Sequence, residues 1–173
     1  MALLCGVITL VLIIAFGGKE TRISTKSEQL SSSLLFCVSS NPVSPFFVSQ
    51  KVIKPEHELK YFFENDQISK ISYKYVGGLN SEKEAEDELS LMNFKYDTYM
   101  GLTQIYQEDL TPVFVVLGND ATISFFITRD KFTVETAPLV FLSQENFEKV
   151  ETASIEEIKS MYEVLGFSCN LEK

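Results

Sequence analysis

The stretch that decides the fold is HELKYFFENDQISKISYKYV, residues 57–76. Large apolar and aromatic side chains recur at every second position in 57–64 and again in 67–76, which predicts two half-buried strands. Asn65 and Asp66 separate the two strands, and such a pair is typical of a tight two-residue turn. The sequence therefore predicts a β-hairpin, and the side chains on its inward face are Leu59, Tyr61, Phe63, Ile71, Tyr73 and Tyr75.

Four further segments have a composition typical of β-strands. Three of these segments follow the hairpin and form a second strand group. Two turns separate them, Gly118-Asn119-Asp120 and Arg129-Asp130. The predicted strands are 46–53 before the hairpin and 112–117, 121–128 and 132–135 after it.

Two helices are predicted from the agreement of a cap with an apolar stripe. Glu84 follows Ser81 by three residues, which is the spacing of a capping box at a helix N-terminus. Ser154 and Glu157 repeat that spacing, and Gly166 stands where a left-handed residue ends a helix. The apolar residues that recur every three or four positions are Ala85, Leu89, Met92, Tyr96 and Tyr99, then Ile155, Ile158, Met161, Tyr162 and Leu165.

The chain begins with an uncharged apolar run, residues 1–18. As a helix with a rise of about 1.5 Å per residue, this run spans roughly 27 Å, close to the ~30 Å hydrocarbon core of a bilayer. It is predicted to be an N-terminal apolar helix that anchors the chain in a membrane, or a secretory signal cleaved near Gly17. Residues 19–33 are mostly polar and are predicted to be a tether.

Residues 34–173 are predicted to form a single α+β domain, because their number suits one buried core. An antiparallel sheet built from the two hairpin groups carries both helices on one face. The adjacent pairs Phe62-Phe63 and Phe125-Phe126, like Phe46-Phe47, place one ring on each face of a strand. We expect a helix to cover the second face as well, and an apolar patch suited to a partner is the alternative.

The chain has three cysteines, and two of them stand at the two ends of the predicted domain. Cys37 opens the domain, Cys169 follows its last helix, and Cys5 lies apart in the apolar run. The ends of a compact domain are often close together, so a disulfide between Cys37 and Cys169 is predicted, with two buried free thiols as the alternative. A disulfide favours an oxidising compartment outside the cytoplasm.

Charge gives conflicting indications about orientation and excludes one class of partner. Lys19, Arg22 and Lys26 follow the apolar run, so the positive-inside rule by itself favours a domain in the cytoplasm. The cysteines favour the opposite side, and an extracytoplasmic domain is our expectation. The net charge of −9 and the lack of a Lys/Arg cluster exclude nucleic acid as an expected partner. The expected partners are the membrane, through residues 1–18, and a protein or another component of the cell envelope.

A search for catalytic chemistry finds no enzyme signature. His57 is the single histidine, and a solvent-exposed place on its strand is expected for it. Gly77-Gly78 lacks the Lys-Ser/Thr of a phosphate-binding loop. The acidic run from Glu82 to Glu88 is predicted to be a solvated helix start rather than a Ca²⁺ site. We therefore predict no catalytic, cofactor-binding or metal-binding residue, and an enzyme whose site the sequence does not reveal stays as an alternative.

The order of elements resembles small bacterial lipoproteins of the YehR type and similar membrane-tethered proteins. The residues that carry the resemblance are 61–71, Ser81-Glu82-Lys83-Glu84-Ala85, Ile155-Glu156-Glu157-Ile158 and Gly166-Phe167-Ser168-Cys169. This chain departs from the lipoproteins because no cysteine follows a full apolar region as a lipid-attachment site. The resemblance implies an α+β fold and an extracytoplasmic place, and it supplies no catalytic residues. The predicted function is a membrane-anchored extracytoplasmic binding or structural module, with a cytoplasm-facing membrane protein as the alternative.

Overall fold

The computed structural model describes residues 32–40, 51–103 and 110–172. The predicted anchor at 1–18, the tether up to residue 31 and most of the predicted strand 46–53 lie outside the described residues. Within the three described ranges, no helix combines the length and hydropathy that crossing a membrane requires.

One antiparallel sheet of six strands forms the centre of the described fold. The strands lie in the order β4-β5-β3-β2-β1-β6. Their bounds are β1 Ser32–Ser39, β2 Lys54–Glu64, β3 Gln67–Gly78, β4 Val113–Leu117, β5 Asp120–Thr128 and β6 Ser168–Glu172. The helices are α1 Glu82–Thr103, α2 Gln144–Val150 and α3 Ile155–Val164, with 3₁₀ turns at Arg129–Lys131 and Ala137–Val140. The predicted α+β class with an antiparallel sheet is therefore confirmed.

The central hairpin forms as its sequence pattern predicts. Asn65 and Asp66 have φ values of 52° and 60°, the left-handed pair that defines a type I′ turn. All six side chains predicted for the inward face are buried. Phe62 lies opposite Lys70 and Phe63 lies opposite Ile68, so Ser69 is an extra residue that forms a β-bulge.

The helix signals are also confirmed, with one change at the start of α1. The Ser81 hydroxyl accepts the Glu84 N–H at 3.2 Å, but the Glu84 carboxylate accepts the N–H of Asn80 instead of that of Ser81. In α3 the capping box of Ser154 and Glu157 is complete. The predicted stripes of both helices pack in the core, and Gly166 follows α3 with φ 87°.

The structure corrects several predicted boundaries. Residues 132–135 are not a strand, because the Thr136 hydroxyl accepts the N–H of Thr133 and donates to the carbonyl of Lys131, which holds this segment in tight turns. Residues 51–53 of the predicted strand 46–53 form a turn before β2. Strand β1 begins at Ser32, inside the segment predicted as tether, while β6 and α2 were not predicted.

A disulfide joins β1 and β6, which are the first and last described strands in chain order and neighbours in the sheet. Cys37 on β1 lies directly opposite Cys169 on β6, and their sulfur atoms form a disulfide with an S–S distance of 2.00 Å. Both cysteines are buried. The predicted pairing is therefore present, and it fastens the last strand to the first across 132 residues of sequence.

Candidate functional site

The candidate site is the outer face of the sheet, the surface opposite the inward side chains that pack with the helices. Alternation along the strands places side chains of four strands on this face, and we define it by Phe36, Lys60, Phe62, Lys70, Ser72, Lys74 and Phe126. Phe126 is 50% exposed, while its neighbour Phe125 on the inner face is buried. The expected helix over the second face is absent from the described residues, so this expectation was wrong for them.

Lysine side chains lie across the aromatic rings of the outer face. The Lys70 ammonium lies 5.4 Å from the ring centre of Phe62 and 4.8 Å from that of Phe126. The Lys60 ammonium lies 5.3 Å from the ring centre of Phe36. Each distance is within the range of a cation–π interaction, which stabilises an exposed pair by about 0.5–1 kcal/mol. These contacts hold the lysines over the rings instead of leaving them free to extend into solvent.

Ser72 lies at the centre of this arrangement. The sheet register places Lys60 opposite it on β2 and Phe126 opposite it on β5. Lys70 and Lys74 stand two residues before and after it on the same face of β3. The Ser72 hydroxyl is therefore surrounded by three ammonium-bearing side chains on the outer face.

Lysines concentrate at the centre of the outer face, while the carboxylates of Glu56, Glu64 and Glu172 lie farther out on the same side of the sheet. Glu58 forms an ion pair with Lys60 at 2.7 Å and lies opposite Lys74 in the register. No described carboxylate lies within 4.0 Å of the Lys70 or Lys74 ammonium. The centre of the outer face is therefore net positive, on a chain whose net charge is −9.

A shallow depression of about 300 Å³ adjoins the outer face at the bulged end of the central hairpin. Its walls include Leu34, Phe62, Glu64 and Ser69. The Ser69 hydroxyl donates to the carbonyl of Phe62 at 3.1 Å, which fixes the bulge at the floor of this depression. Two other concavities, of about 260 and 520 Å³, lie against α2 and carry Arg129 and Lys149 respectively.

The structure places His57 in the core, and the expectation of an exposed histidine was wrong. Its side chain is 0% exposed, because position 57 shares the inward phase of Leu59 and Tyr61. The imidazole Nδ1 lies 2.9 Å from the hydroxyl oxygen of Tyr73, and the rings of Tyr75 and Phe141 pack around it. His57 is therefore part of the packed core.

Tyrosine hydroxyls continue the polar part of the core. Tyr61 and Tyr162 are hydrogen-bonded to each other, and Tyr162 donates to the carbonyl of Val140 at 2.7 Å. Burial raises the pKa of Tyr61, Tyr73 and Tyr162 above the usual value of 10. These phenols are therefore protonated at neutral pH and hold the sheet to α3 and to the segment before α2.

The acidic start of α1 is solvated except at one position. Glu82, Glu84, Glu86 and Asp87 are exposed, but Glu88 is only 3% exposed because it lies in the inward phase of the helix. The prediction of a fully solvated run was therefore wrong at Glu88. Across the described ranges, no group of three His, Cys, Asp or Glu side chains is arranged to hold a metal ion.

No known family profile and no curated protein sequence matches this chain. Two solved structures resemble it in fold. The NMR structure of YehR from E. coli is 13% identical, covers 79% of this chain and 88% of its own, and gives a TM-score of 0.48. The NMR structure of a protein from Streptococcus pneumoniae TIGR4 is 5% identical, covers 98% of both chains, and gives a TM-score of 0.44. Likeness at this level carries nothing about family, tethering, ligand or activity.

Proposed function

We propose that this protein is a membrane-anchored, extracytoplasmic binding module whose outer face docks an acidic protein surface. The observation that supports the proposal is the flat face on which Phe36, Phe62 and Phe126 lie under two lysines, with no described helix above them. Phe126 is exposed and Phe36 and Phe62 are half-buried, so the face leaves aromatic area in water that a partner could cover.

The shape of the face favours a protein over a small molecule. Small ligands bind in concave apolar pockets that enclose most of their surface. The outer face is open, and the depression beside Phe62 is shallow. Protein interfaces, by contrast, are broad and flat and concentrate their binding energy in a few central aromatic side chains.

The charge of the face favours an acidic partner. Lys60, Lys70 and Lys74 surround Ser72 at the centre of the face, where Glu58 pairs with Lys60, and the other carboxylates of this face lie farther out. Complementary charge raises the association rate and rejects basic partners, while the central rings supply the apolar contact. The bound partner is then expected to place carboxylates over Lys70 and Lys74 and apolar side chains over Phe126.

The location rests on two features of the chain. A buried disulfide between Cys37 and Cys169 suits an oxidising compartment. The apolar residues 1–18 suit a membrane anchor, or a signal cleaved near Gly17. Lys19, Arg22 and Lys26 favour the cytoplasm-facing alternative, which alkylation in intact cells distinguishes: reduced, readily alkylated Cys37 and Cys169 overturn the extracytoplasmic part of the proposal.

Site-specific photo-cross-linking tests the docking surface. A photoreactive phenylalanine analogue replaces Phe126 in one variant and Val164 in a control variant; Val164 is 87% exposed on α3. We expect one discrete protein adduct from position 126 in cells and none from position 164. The adduct should be lost with Lys70→Glu combined with Lys74→Glu, and kept with Lys149→Glu on α2. No adduct, equal adducts from both positions, or an adduct that survives the double reversal overturns the proposal.

A further inference from the structure

Strand β4 is an edge of the described sheet, and Pro112, one of the usual devices against edge pairing, stands just before its first residue and not within it. Its five residues are Val113-Phe114-Val115-Val116-Leu117, without a charge, a proline or a bulge. Among the described strands, β5 is its one neighbour. Natural proteins protect such edges with lysine, proline, bulges or a covering element, because an open edge recruits another strand.

The exposed side chains of β4 form an apolar row on the outer side of the sheet. Val113, Val115 and Leu117 are 54%, 37% and 68% exposed. Phe114 and Val116 point the opposite way and pack against the core below α1. On the neighbouring strand the residues opposite this row are polar, namely Ser124, Thr122 and Asp120, and they lie on the same face as Phe126.

The hairpin register fixes which backbone groups face outward. Leu117 and Asp120 are paired across the two-residue turn Gly118-Asn119, in which Gly118 has φ 59°. Hydrogen-bonded pairs alternate along an antiparallel ladder, so Val113, Val115 and Leu117 direct their backbone groups toward β5. The N–H and C=O groups of Phe114 and Val116 therefore point to the open edge.

We propose that β4 pairs with β4 of a second copy of this chain, antiparallel and two-fold symmetric about Val115. In this register Phe114 of one copy exchanges two hydrogen bonds with Val116 of the other, and the symmetry doubles them to four. Val115 then lies opposite its own copy, and Val113 lies opposite Leu117. All backbone groups at the edge are satisfied, and the two sheets become one continuous sheet of twelve described strands.

Charge supports a second copy as the occupant. The strand itself is neutral, and the nearest charge in the ladder is the Asp120 carboxylate beyond the turn. In the two-fold register Leu117, which pairs with Asp120 inside each copy, faces Val113 of the other copy, so the two Asp120 carboxylates lie at opposite ends of the interface and like charges are not opposed. The edge is self-complementary even though each copy carries a net charge of −9.

The pairing is expected to be weak in solution. A stable interface usually buries about 800 Å² per partner, and a five-residue strand provides less. This step rests on the membrane anchor of the proposed function: two copies anchored in one membrane have a raised effective concentration, which favours an association of this strength. The dimer also places two outer faces side by side on one surface.

Cysteine cross-linking in the full-length chain, in a Cys5→Ser background, tests both the partner and the register. Val115→Cys should form a disulfide-linked dimer under mild oxidation at least tenfold faster than Val113→Cys or Leu117→Cys alone. A mixture of the last two variants should cross-link as fast as Val115→Cys. Simple collision predicts the reverse order, because Val115 is the least exposed of the three.

The outcomes separate the alternatives. Cross-linking that follows exposure, or that is equal at all three positions, overturns two-fold pairing and indicates random collision or aggregation. A Val115→Cys variant that stays monomeric at high concentration, with an unchanged circular dichroism spectrum, also overturns it. Selective cross-linking to another protein identifies the occupant as a foreign strand and overturns the self-pairing.

Discussion

The hydroxyl groups of Tyr61 and Tyr162 lie 2.5 Å apart in the core, and the hydrogen bond between them runs in one direction. Tyr162 donates its proton to the carbonyl of Val140 at 2.7 Å, so Tyr61 is the donor to the oxygen of Tyr162. The Tyr162 hydroxyl therefore has two hydrogen-bond partners and the Tyr61 hydroxyl has one, although both side chains are fully buried.

Removing the Tyr162 hydroxyl should therefore lower the free energy of unfolding more than removing the Tyr61 hydroxyl. Tyr61→Phe deletes one donor and leaves Tyr162 bonded to Val140, so the free energy of unfolding should fall by about 1 kcal/mol. Tyr162→Phe leaves both the Tyr61 hydroxyl and the Val140 carbonyl without their partner, at about 1–3 kcal/mol for each buried group. Urea unfolding of the two variants measures the difference, and equal losses contradict the assigned direction.

The buried tyrosines should make the protein sensitive to alkali. In the unfolded chain phenols lose their protons near pH 10, whereas burial raises the pKa of Tyr61, Tyr73 and Tyr162 in the folded state. Above about pH 10 the unfolded state therefore binds fewer protons than the folded state. Stability should be unaffected by these groups below that pH, and should fall above it by about 1.4 kcal/mol per pH unit for each tyrosine.

Urea midpoints measured across this pH range, together with phenolate absorbance, test that prediction. Tyr61→Phe should reduce the loss of stability per pH unit by the contribution of one tyrosine. Phenolate absorbance from these side chains that rises while the circular dichroism is still native would show that they ionise in the folded state.

Two glutamates on the same helix should respond differently to truncation. Glu86→Ala removes an exposed side chain whose ion pair with Lys83 spans 3.9 Å, so stability should change by less than about 0.5 kcal/mol. Glu88→Ala removes a buried carboxylate on the inward side of α1. The free energy of unfolding should fall by about 1–3 kcal/mol. Thermal unfolding of both variants checks this, and a harmless Glu88→Ala would show that the carboxylate contributes nothing to folding.

Removing the disulfide should be the most destabilising of these changes. The bridge between Cys37 and Cys169 closes a loop of more than a hundred residues. In the chain-entropy model such a bridge stabilises the fold by roughly 4–5 kcal/mol. The double variant Cys37→Ala, Cys169→Ala should lose stability of that order in urea and should exchange the amide protons of β6 first. Unchanged unfolding midpoints would mean that β6 holds its place through hydrogen bonds alone.

The parts of the fold that sequence predicts well are those with local signals. The Asn65-Asp66 turn fixes the register of β2 and β3, and the register in turn fixes which side chains are buried. The same alternation, extended two residues before Leu59, places His57 inside. At this position the phase of the strand outweighs the general preference of histidine for exposed places.

The elements that sequence missed depend on distant parts of the chain. Strand β6, Ser168–Glu172, alternates polar and apolar residues, but its five residues hold only two apolar positions, and its place in the sheet comes from pairing with β1. The outer face was predicted only as an alternative, since adjacent phenylalanines show that both faces carry rings but not which elements cover them. The alignment of Lys70 between Phe62 and Phe126 requires the register of three strands, which no single segment encodes.

The position of β1 between β2 and β6 has a mechanical consequence. A pull on the chain ahead of Ser32 acts along β1, and the hydrogen bonds on both of its sides resist together because they lie across the direction of the force. The disulfide at Cys37 prevents β1 from sliding past β6. A load entering at residue 32 is therefore spread over three strands before any of them can separate, so this end of the domain is built to bear tension.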